Sequence, residues 1–552
     1  MNTPTGRTFD QPSQSLRLLD VLLVAVLTAA VFVPNLYGHF SGLDDVAMLH
    51  DTVAFRHPSW PRYFAFWTHP PYQIFMPLTM TMWQVIALFS HRPQLEPYPW
   101  AMAAVGFKAA SILVHVLSAA AATWVLSILT RTRWPAIAGG LLFALHPVQV
   151  ESVCWTTGLK DELCGLFALL TIALYARYLS ADAPAPWKSG YWLGAVAAAV
   201  GAMLSKPTGM MVPVLLLAVD WALRPAAAPA VRVRTLGLFF LLGLACGTIA
   251  FQLQGSPLIH TVPRWARPLL AGDTLAFDLR LVAWPVGMTP DYGRYPLYVW
   301  QNGQIWWTWI FPAALVVALA IWRNRWAWLA ALLFALPIAP VSGITPFDMQ
   351  QFSTPADHYL YQPMLGVALA LTLLLRARPR WWGAAAVVLA VCGVLSWQGV
   401  RIWRQPWDLA HMMLRRNPQS WLARNSLAYL ALQVGDSAYA EQMARQSMAI
   451  RPESTDPHEI VAVIRLRQGR YRDAVDEAET AIRLDRAKSL PIFARKLVRC
   501  AGILQDPALA YRAASYWLEA EPDNELALRL KRNFARAAGA SSPTSLPATE
   551  PR

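Results

Sequence analysis

Charge is what this chain has least of. Only 14% of its 552 residues are charged, against about a quarter in an ordinary soluble domain. Cysteine is sparse as well. The five present (Cys154, Cys164, Cys246, Cys392 and Cys500) form no CxxC pair and no Cys/His zinc spacing, which excludes a disulfide framework and a zinc-finger module. There is no GxxxxGK[ST] phosphate loop, no GxGxxG dinucleotide turn, no GxSxG elbow and no HExxH pair. The chain thus lacks the markers of nucleotide-driven and common hydrolytic chemistry, and a transferase built on it would take a lipid-carried donor.

The few charges are unevenly spread. Residues 1–400 hold 24 bases and 16 acids, whereas residues 401–552, little more than a quarter of the chain, hold 23 and 17. One soluble globule is excluded, and the pattern is that of a membrane body followed by a soluble tail. The net charge of +14 does not indicate nucleic acid as a partner, because most bases of the first part flank apolar segments.

About 20 apolar residues span a bilayer as a helix. By that measure about eleven spans are expected, near 19–37, 101–129, 134–150, 160–179, 190–205, 207–223, 235–253, 305–322, 326–342, 358–375 and 382–399. The first lacks a small-residue cleavage site and reads as a retained helix rather than a signal peptide. Segment 73–90 is apolar but contains Pro77 and has prolines on both sides, so it reads as interfacial or re-entrant. One set of loops holds 14 of the 24 bases and only four acids (Asp10, Asp20, Asp182 and Asp220). Basic loops stay in the cytoplasm, which puts the N-terminal tail (1–18) inside, and the loops 38–100 and 254–304 and the soluble tail outside. Short inner turns and long outer loops point to chemistry on the outer face.

The tail repeats with a period of 34. Ala428 and Ala462, Gly435 and Gly469, Ala440 and Ala474, Ala444 and Ala478, and Pro418 and Pro452 each share that spacing. Small residues at these offsets let paired helices pack closely, with Gly at the turn, which is the tetratricopeptide pattern. Two repeats cover about 421–488. A degenerate third (about 489–522) and a last helix (about 523–537) follow, so that the repeat domain spans 405–538. The Ser/Pro/Ala-rich end, 539–552, reads as disordered. Such repeats form a curved surface for a peptide or protein, or serve as a spacer or dimerisation module.

Several constellations carry candidate chemistry. Asp44 and Asp45 follow the first span in HFSGLDDVAML. Adjacent carboxylates at a membrane surface repel each other and resist desolvation, so either could serve as a general base, although a solvated loop acid is the plainer reading. His39, His50 and His69 are near in sequence, but no spacing compels a metal site, and a divalent cofactor is left open without being indicated. His146 and Glu151 lie in LFALHPVQVESVCW, and Lys160, Asp161 and Glu162 open the next span in TTGLKDELCGLF. Helix capping and a local Lys–acid pair would account for Asp161 and Glu162. Glu151, in an apolar stretch, is harder to explain that way. Lys206, in AMLSKPTGMMVP, is placed for a lipid phosphate or for snorkelling to headgroups. Asp291, Tyr292 and Arg294 lie in WPVGMTPDYGRYP, and Asp357, His358, Tyr359 and Tyr361 in TPADHYLYQPMLG.

Five segments in this order resemble the transmembrane and tetratricopeptide-repeat-containing protein O-mannosyltransferases and their bacterial relatives. They are the Asp44–Asp45 pair, HPVQVESVCWTTGLKDEL at 146–163, LSKPTGMMVPVLLLAVD at 204–220, RLVAWPVGMTPDYGRYP at 280–296 and ADHYLYQPMLG at 356–366. The repeats, reached through RIWRQPWDLA, fit too, and the resemblance covers about 20–490. It implies an all-α fold: a polytopic GT-C-type glycosyltransferase domain over 19–400, then a tetratricopeptide solenoid. It further implies a bacterial inner-membrane protein with periplasmic repeats. The activity implied is transfer of mannose or another hexose from a polyprenyl-phosphate carrier to a hydroxyl of an exported protein, which the repeats would hold. By the same resemblance Asp44 or Asp45 would be the base, with Glu151 assisting. Lys206, His358, Tyr359 and Arg294 would face the donor phosphate, and His146, Asp161, Glu162, Asp291 and Tyr292 would position acceptor or sugar. Relatives usually carry Arg where His358 stands, so the charge at that place departs from the family pattern. Two other functions compete: a non-catalytic membrane scaffold recruiting envelope proteins, and an oligosaccharide ligase of the O-antigen type.

Overall fold

A computed structural model describes residues 16–45, 48–49, 55, 60–68, 74–90, 103–181, 185–253, 262–521 and 523–535. Every regular element among them is a helix. The first compact unit runs to Asn417 and the second starts at Pro418.

The first unit opens with α1 (Leu18–Phe32), α2 (Trp60–Thr68), α3 (Pro77–Ser90), α4 (Ala104–Thr130), α5 (Trp134–Leu145), α6 (Gln149–Cys154) and α7 (Leu159–Ser180). It continues with α8 (Gly190–Ser205), α9 (Val212–Leu223), α10 (Pro229–Leu253), α11 (Arg267–Ala283), α12 (Pro296–Gln301) and α13 (Ile310–Trp322). It closes with α14 (Arg325–Ile338), α15 (Met364–Ala377), α16 (Trp382–Trp403) and α17 (Pro406–Arg416). Six helical segments are long and apolar enough to cross a membrane: 18–37, 104–130, 156–180, 229–253, 304–322 and 379–403.

The other five expected spans are apolar helices of 10–17 residues. At 1.5 Å per residue they reach about 15–25 Å, less than the roughly 30 Å of a bilayer core. Their shortness has a local cause. Helix α5 stops at Leu145 because His146 turns to extended backbone before Pro147. Helix α8 stops at Ser205 because Lys206 is extended before Pro207. The span expected from 358 begins only at Met364, since 357–360 is a 3₁₀ turn followed by Pro363. Proline cannot donate to the helix ladder and disfavours helical backbone just before it. These breaks fall at the candidate site residues.

Burial ranks the spans. In α4 and in 156–180, 61% of the apolar window is enclosed by protein, against 28% or less in the other four. The two central helices carry the buried polar side chains Lys108, Ser111, His115 and Ser118 on α4 and Lys160, Asp161 and Glu162 on α7. In α1, by contrast, Leu18, Leu19, Leu22, Leu23 and Val26 are exposed, as a lipid-facing surface requires.

Two acids expected in the basic loops are neutralised by arginines of those same loops. Asp20 takes a bidentate bond from Arg133, at 2.7 and 2.8 Å. Asp220, fully buried, accepts from Tyr175 Oη at 2.8 Å and Arg232 Nε at 3.0 Å, and also pairs with Arg224. The second cluster ties α7, α9 and α10 together.

The second unit holds α18 (Trp421–Gln433), α19 (Ser437–Ile450), α20 (Thr455–Arg467), α21 (Tyr471–Leu484), α22 (Arg486–Leu504), α23 (Pro507–Ala520) and α24 (Glu525–Ala535). The bounds of α18 and α19 recur 34 residues later as those of α20 and α21. The paired alanines at 428, 462, 440, 474, 444 and 478 are all buried. Gly435 and Gly469 take positive φ at the turns (+87° and +73°), and Gln505 (+50°) holds that backbone in the third pair. Arg472–Asp506 (3.0 Å), Arg486–Glu519 (2.6 Å) and Arg512–Glu479 (3.2 Å) link positions 33 or 34 apart. The second compact unit begins at Pro418, and α17 just ahead of it buries Leu409, Ala410, Met412 and Met413 within the first unit. Residues 539–552 lie outside the described residues.

Removing one partner of a buried charge cluster leaves the rest uncompensated, at a cost of roughly 3 kcal/mol. Asp220→Ala should therefore lower thermal stability in detergent markedly, and Asp220→Asn, which keeps a hydrogen-bond acceptor, by less. Equal midpoints for both variants and the wild type would remove Asp220 from the account of helix packing.

Candidate active site

The turn after α1 carries the two adjacent carboxylates. Asp45 is fully buried. Its Oδ2 accepts from Ser41 N at 2.7 Å and its Oδ1 from Thr157 N at 3.1 Å. It thus fastens its own turn to the one ahead of α7. Asp44 is half-buried, and both carboxylates lie within electrostatic reach of Lys160. The preceding turn is fixed by Asn35, whose Nδ2 donates to Val153 O at 3.1 Å.

Glu151 sits in the first turn of α6, just past the break at Pro147. Its Oε1 lies 2.5 Å from His358 Nδ1. Trp155 meets the His358 ring edge-on, with centroids 5.4 Å apart. Burial pushes the Glu151 carboxyl up to about 8, so near neutrality it carries a proton and donates to Nδ1. That leaves the hydrogen of a neutral His358 on Nε2.

Lys206, at the break between α8 and α9, pairs with Asp161 of α7. Its Nζ also stands 5.1 Å over the Tyr359 ring. Asp161, Cys164, Lys206, Thr208, His358 and Tyr359 line a small cleft, with Pro337, Val341, Tyr361 and Gln362 completing its wall. Beside it, Lys160 Nζ donates to Thr157 O at 3.1 Å and stands 4.8 Å over Trp155. Lys160 reaches Asp44, Asp161 and Lys206 electrostatically, so acids and bases alternate along the site.

Polar atoms without a protein partner gather here. Among the described residues they include Glu151 Oε2, Trp155 Nε1, the hydroxyls of Thr156 and Thr157, Asp161 Oδ2 and Gln362 Nε2, all buried. Buried polar groups are rarely left unmatched, and this density on one wall suits a ligand rich in hydroxyls.

The other sequence candidates are placed differently. Tyr292 Oη donates to Asp357 Oδ1 at 2.5 Å, which puts Tyr292 next to the His358 turn. Asp291 Oδ1 accepts from Gly293 N at 2.8 Å and holds that loop's turn. Arg294 is bound to both oxygens of Asp273, at 2.7 and 2.8 Å, so its charge is already matched. His146 uses both ring nitrogens on backbone: Nδ1 accepts from Val148 N at 3.3 Å, and Nε2 donates to Val282 O at 3.1 Å. It pins the end of α5 to the end of α11 and does not line the cleft. Glu162 is buried behind the cleft near Lys108, and Lys108 Nζ donates to Cys154 O at 2.5 Å. Burial holds the carboxyls of Asp278 and Asp357 well above the usual range, and each feels the other's charge or that of Glu151.

Lys160, Lys108, Asp278 and Gln362 were not singled out from sequence as site residues. Lys160 lay inside the quoted LKDEL segment, and Gln362 inside ADHYLYQPMLG. For Lys108 and Asp278 a lone charge in an apolar helix was the available signal. Among the described residues no three His, Cys, Asp or Glu side chains converge as metal ligands. His50 and His69 lie outside those residues.

The state of Glu151 has a consequence for stability. Its carboxyl titrates near 4.5 when unperturbed and about 8 when folded, so across that window only the folded chain holds the proton. Stability then falls as pH rises from about 4.5 to about 8. Thermal midpoints in detergent should show this decline in the wild type and a flatter profile in Glu151→Gln. Identical profiles would contradict a protonated Glu151.

No protein-family profile matches the chain, and no solved structure does. Among curated proteins it is similar to one described as Protein O-mannosyl-transferase Tmtc2 from Drosophila melanogaster, with 28% identity over 213 residues. That stretch is 35% of this chain and 22% of the fly protein, so the match spans less than a quarter of the relative's length. The similarity is partial, and it agrees at a coarse level with a glycosyltransferase relation.

Proposed function

We propose that the chain is a membrane glycosyltransferase that moves a hexose from a polyprenyl-phosphate carrier to a hydroxyl of a protein acceptor. The observation that carries this reading is one cleft lined from three distant segments by Asp161, Lys206, His358 and Tyr359. Glu151 is bonded to His358, and the Asp44–Asp45 turn lies within electrostatic reach of Lys160, the neighbour of Asp161. Together they offer a candidate base, two cations and a wall of buried polar atoms.

Asp44 is the better base. Both oxygens of Asp45 already accept backbone N–H groups and hold two turns together, a structural commitment that Asp45 would have to give up to act on an acceptor. Asp44, half-buried and within electrostatic reach of Lys160, takes the acceptor proton. The acceptor oxygen then bonds to the anomeric carbon as the bond from that carbon to phosphate oxygen breaks, with inversion. The leaving electron pair stays on the polyprenyl phosphate, where Lys206 and Lys160 offset it. Neutral His358 contributes a hydrogen bond from Nε2 rather than charge. The shared Asp161 keeps the two lysines apart and neutralised until a phosphate competes for them.

In the second unit, two helix pairs with 34-residue spacing support the tetratricopeptide reading and a peptide-holding role. The five short apolar helices fit as spans completed by the breaks that build the site, giving eleven in all. The basic loops place the N-terminus in the cytoplasm, with site and repeats on the opposite face.

Asp44→Asn should lower transfer about 100-fold or more at unchanged protein level. Asp45→Asn should lower it less while also reducing stability, since it loses an anionic anchor for two backbone amides. Full activity of Asp44→Asn would remove the base from the mechanism. Lys206→Ala should cut kcat/KM for the lipid donor by about 100-fold without changing KM for peptide. An unchanged donor dependence would place the phosphate elsewhere.

A further inference from the structure

Three segments at or beside the candidate site, namely α5 with α6, the turn after α1 and the 284–294 turn, all rest on the one stretch of chain that leads to the second unit. The first contact is to α5 and α6. Ser396 Oγ of α16 donates to Leu145 O at 2.7 Å, just ahead of His146, and Gly399 packs on Val150, the neighbour of Glu151. The second is to the turn after α1. His39 N donates to Arg404 O at 3.1 Å, and the Arg404 guanidinium lies 5.8 Å from the Tyr37 ring centroid. That turn runs on to Asp44 and Asp45.

The third contact is to the turn carrying Asp291 and Tyr292. Gly287 and Gly293 there have φ of +85° and +64°, a backbone that favours glycine. They also leave room that the end of α17 fills. A Cβ on Gly287 would lie 3.1 Å from Arg416 Nη1, and one on Gly293 would lie 2.8 Å from Asn417 Nδ2. Arg416 and Asn417 thus sit on the two bare positions of the turn. The next residue, Pro418, begins the second unit. Helix α17 is itself anchored, with Leu409, Ala410, Met412 and Met413 buried.

We propose that the arm 396–417 is a coupling element in which Arg404, Arg416 and Asn417 act as positioning residues for the candidate site. Capture of a peptide by the second unit tightens the 284–294 turn through Arg416 and Asn417, and Tyr292 carries this to Asp357 and the His358 turn. Coupling of this kind needs a packed route, and within the first unit the arm makes contact with the 284–294 turn through Arg416 and Asn417. The transmission of peptide capture rests on the function proposed above, whereas the positioning of the turn stands without it.

The test uses the full chain in nanodiscs and hydrogen exchange at 284–294. Arg416→Ala with Asn417→Ala should speed amide exchange in that turn, and the exposed neighbour Arg415→Ala should not. A peptide with Ala in place of every Ser and Thr should slow exchange at 284–294 in the wild type and fail to do so in the double variant. In turnover, the double variant should lose about 10- to 100-fold in kcat with donor KM unchanged, and Arg416→Lys should recover part of it. Should the double variant not fold, Gly293→Ala displaces the turn from the other side and should speed the same exchange. Unaltered exchange in the turn, an equal effect of Arg415→Ala, or peptide protection that persists in the double variant would each overturn the coupling. Loosened exchange together with a fully active Asp44→Asn would overturn the glycosyltransferase reading and leave the positioning role standing.

Discussion

The ion pair between Asp161 and Lys206 is the interaction on which the site depends. A charge inside an apolar helical body is costly unless matched, and these two match each other from different helices. To bring them together, α8 must end at Ser205 and turn Lys206 outward before Pro207, while α7 must begin with its acids at the top of a buried helix. The pair therefore fixes the height at which two helices stop, and the cleft lies in the gap so made. The same requirement acts on Glu151 and His358, which share a proton between a short helix and a 3₁₀ turn. Each helix break that costs backbone hydrogen bonds is offset by a polar contact that only the break allows.

This arrangement separates roles that look alike in sequence. Asp44 and Asp45 are neighbours, yet Asp45 is fully buried and committed to two backbone amides while Asp44 is half-buried. Arg294 and Lys206 are both cations outside the helices, yet Arg294 is held on both oxygens of Asp273 and Lys206 pairs with Asp161 at the cleft. His146 and His358 are both buried imidazoles, yet the first is spent on backbone groups and the second lines the cleft. Residue type nominates a candidate, and its partners decide what it can do.

Helical class, the apolar segments and the 34-residue period were legible in the sequence because each is a local, periodic signal. The sequence also named Asp161, Lys206, His358 and Tyr359 as candidates one by one, and the structure lines one cleft with them. The lengths of the helices near Pro147, Pro207 and Pro363 were less legible, since hydropathy runs on through breaks that backbone sterics impose. The pairings were not legible at all. Glu151 and His358 are 207 positions apart, and Asp45 and Thr157 are 112 apart, so no local pattern could announce them.

The central claim is sugar transfer at this cleft. The most direct measurement gives the purified full-length protein, in nanodiscs, a set of polyprenyl-phosphate hexoses and a Ser/Thr peptide, and follows the intact peptide mass. The account predicts the mass of a single hexose added, with the anomeric configuration opposite to that of the donor, by the wild type and not by Asp44→Asn. A peptide left unmodified with every hexose donor, or one that gains a whole preassembled glycan, would contradict it.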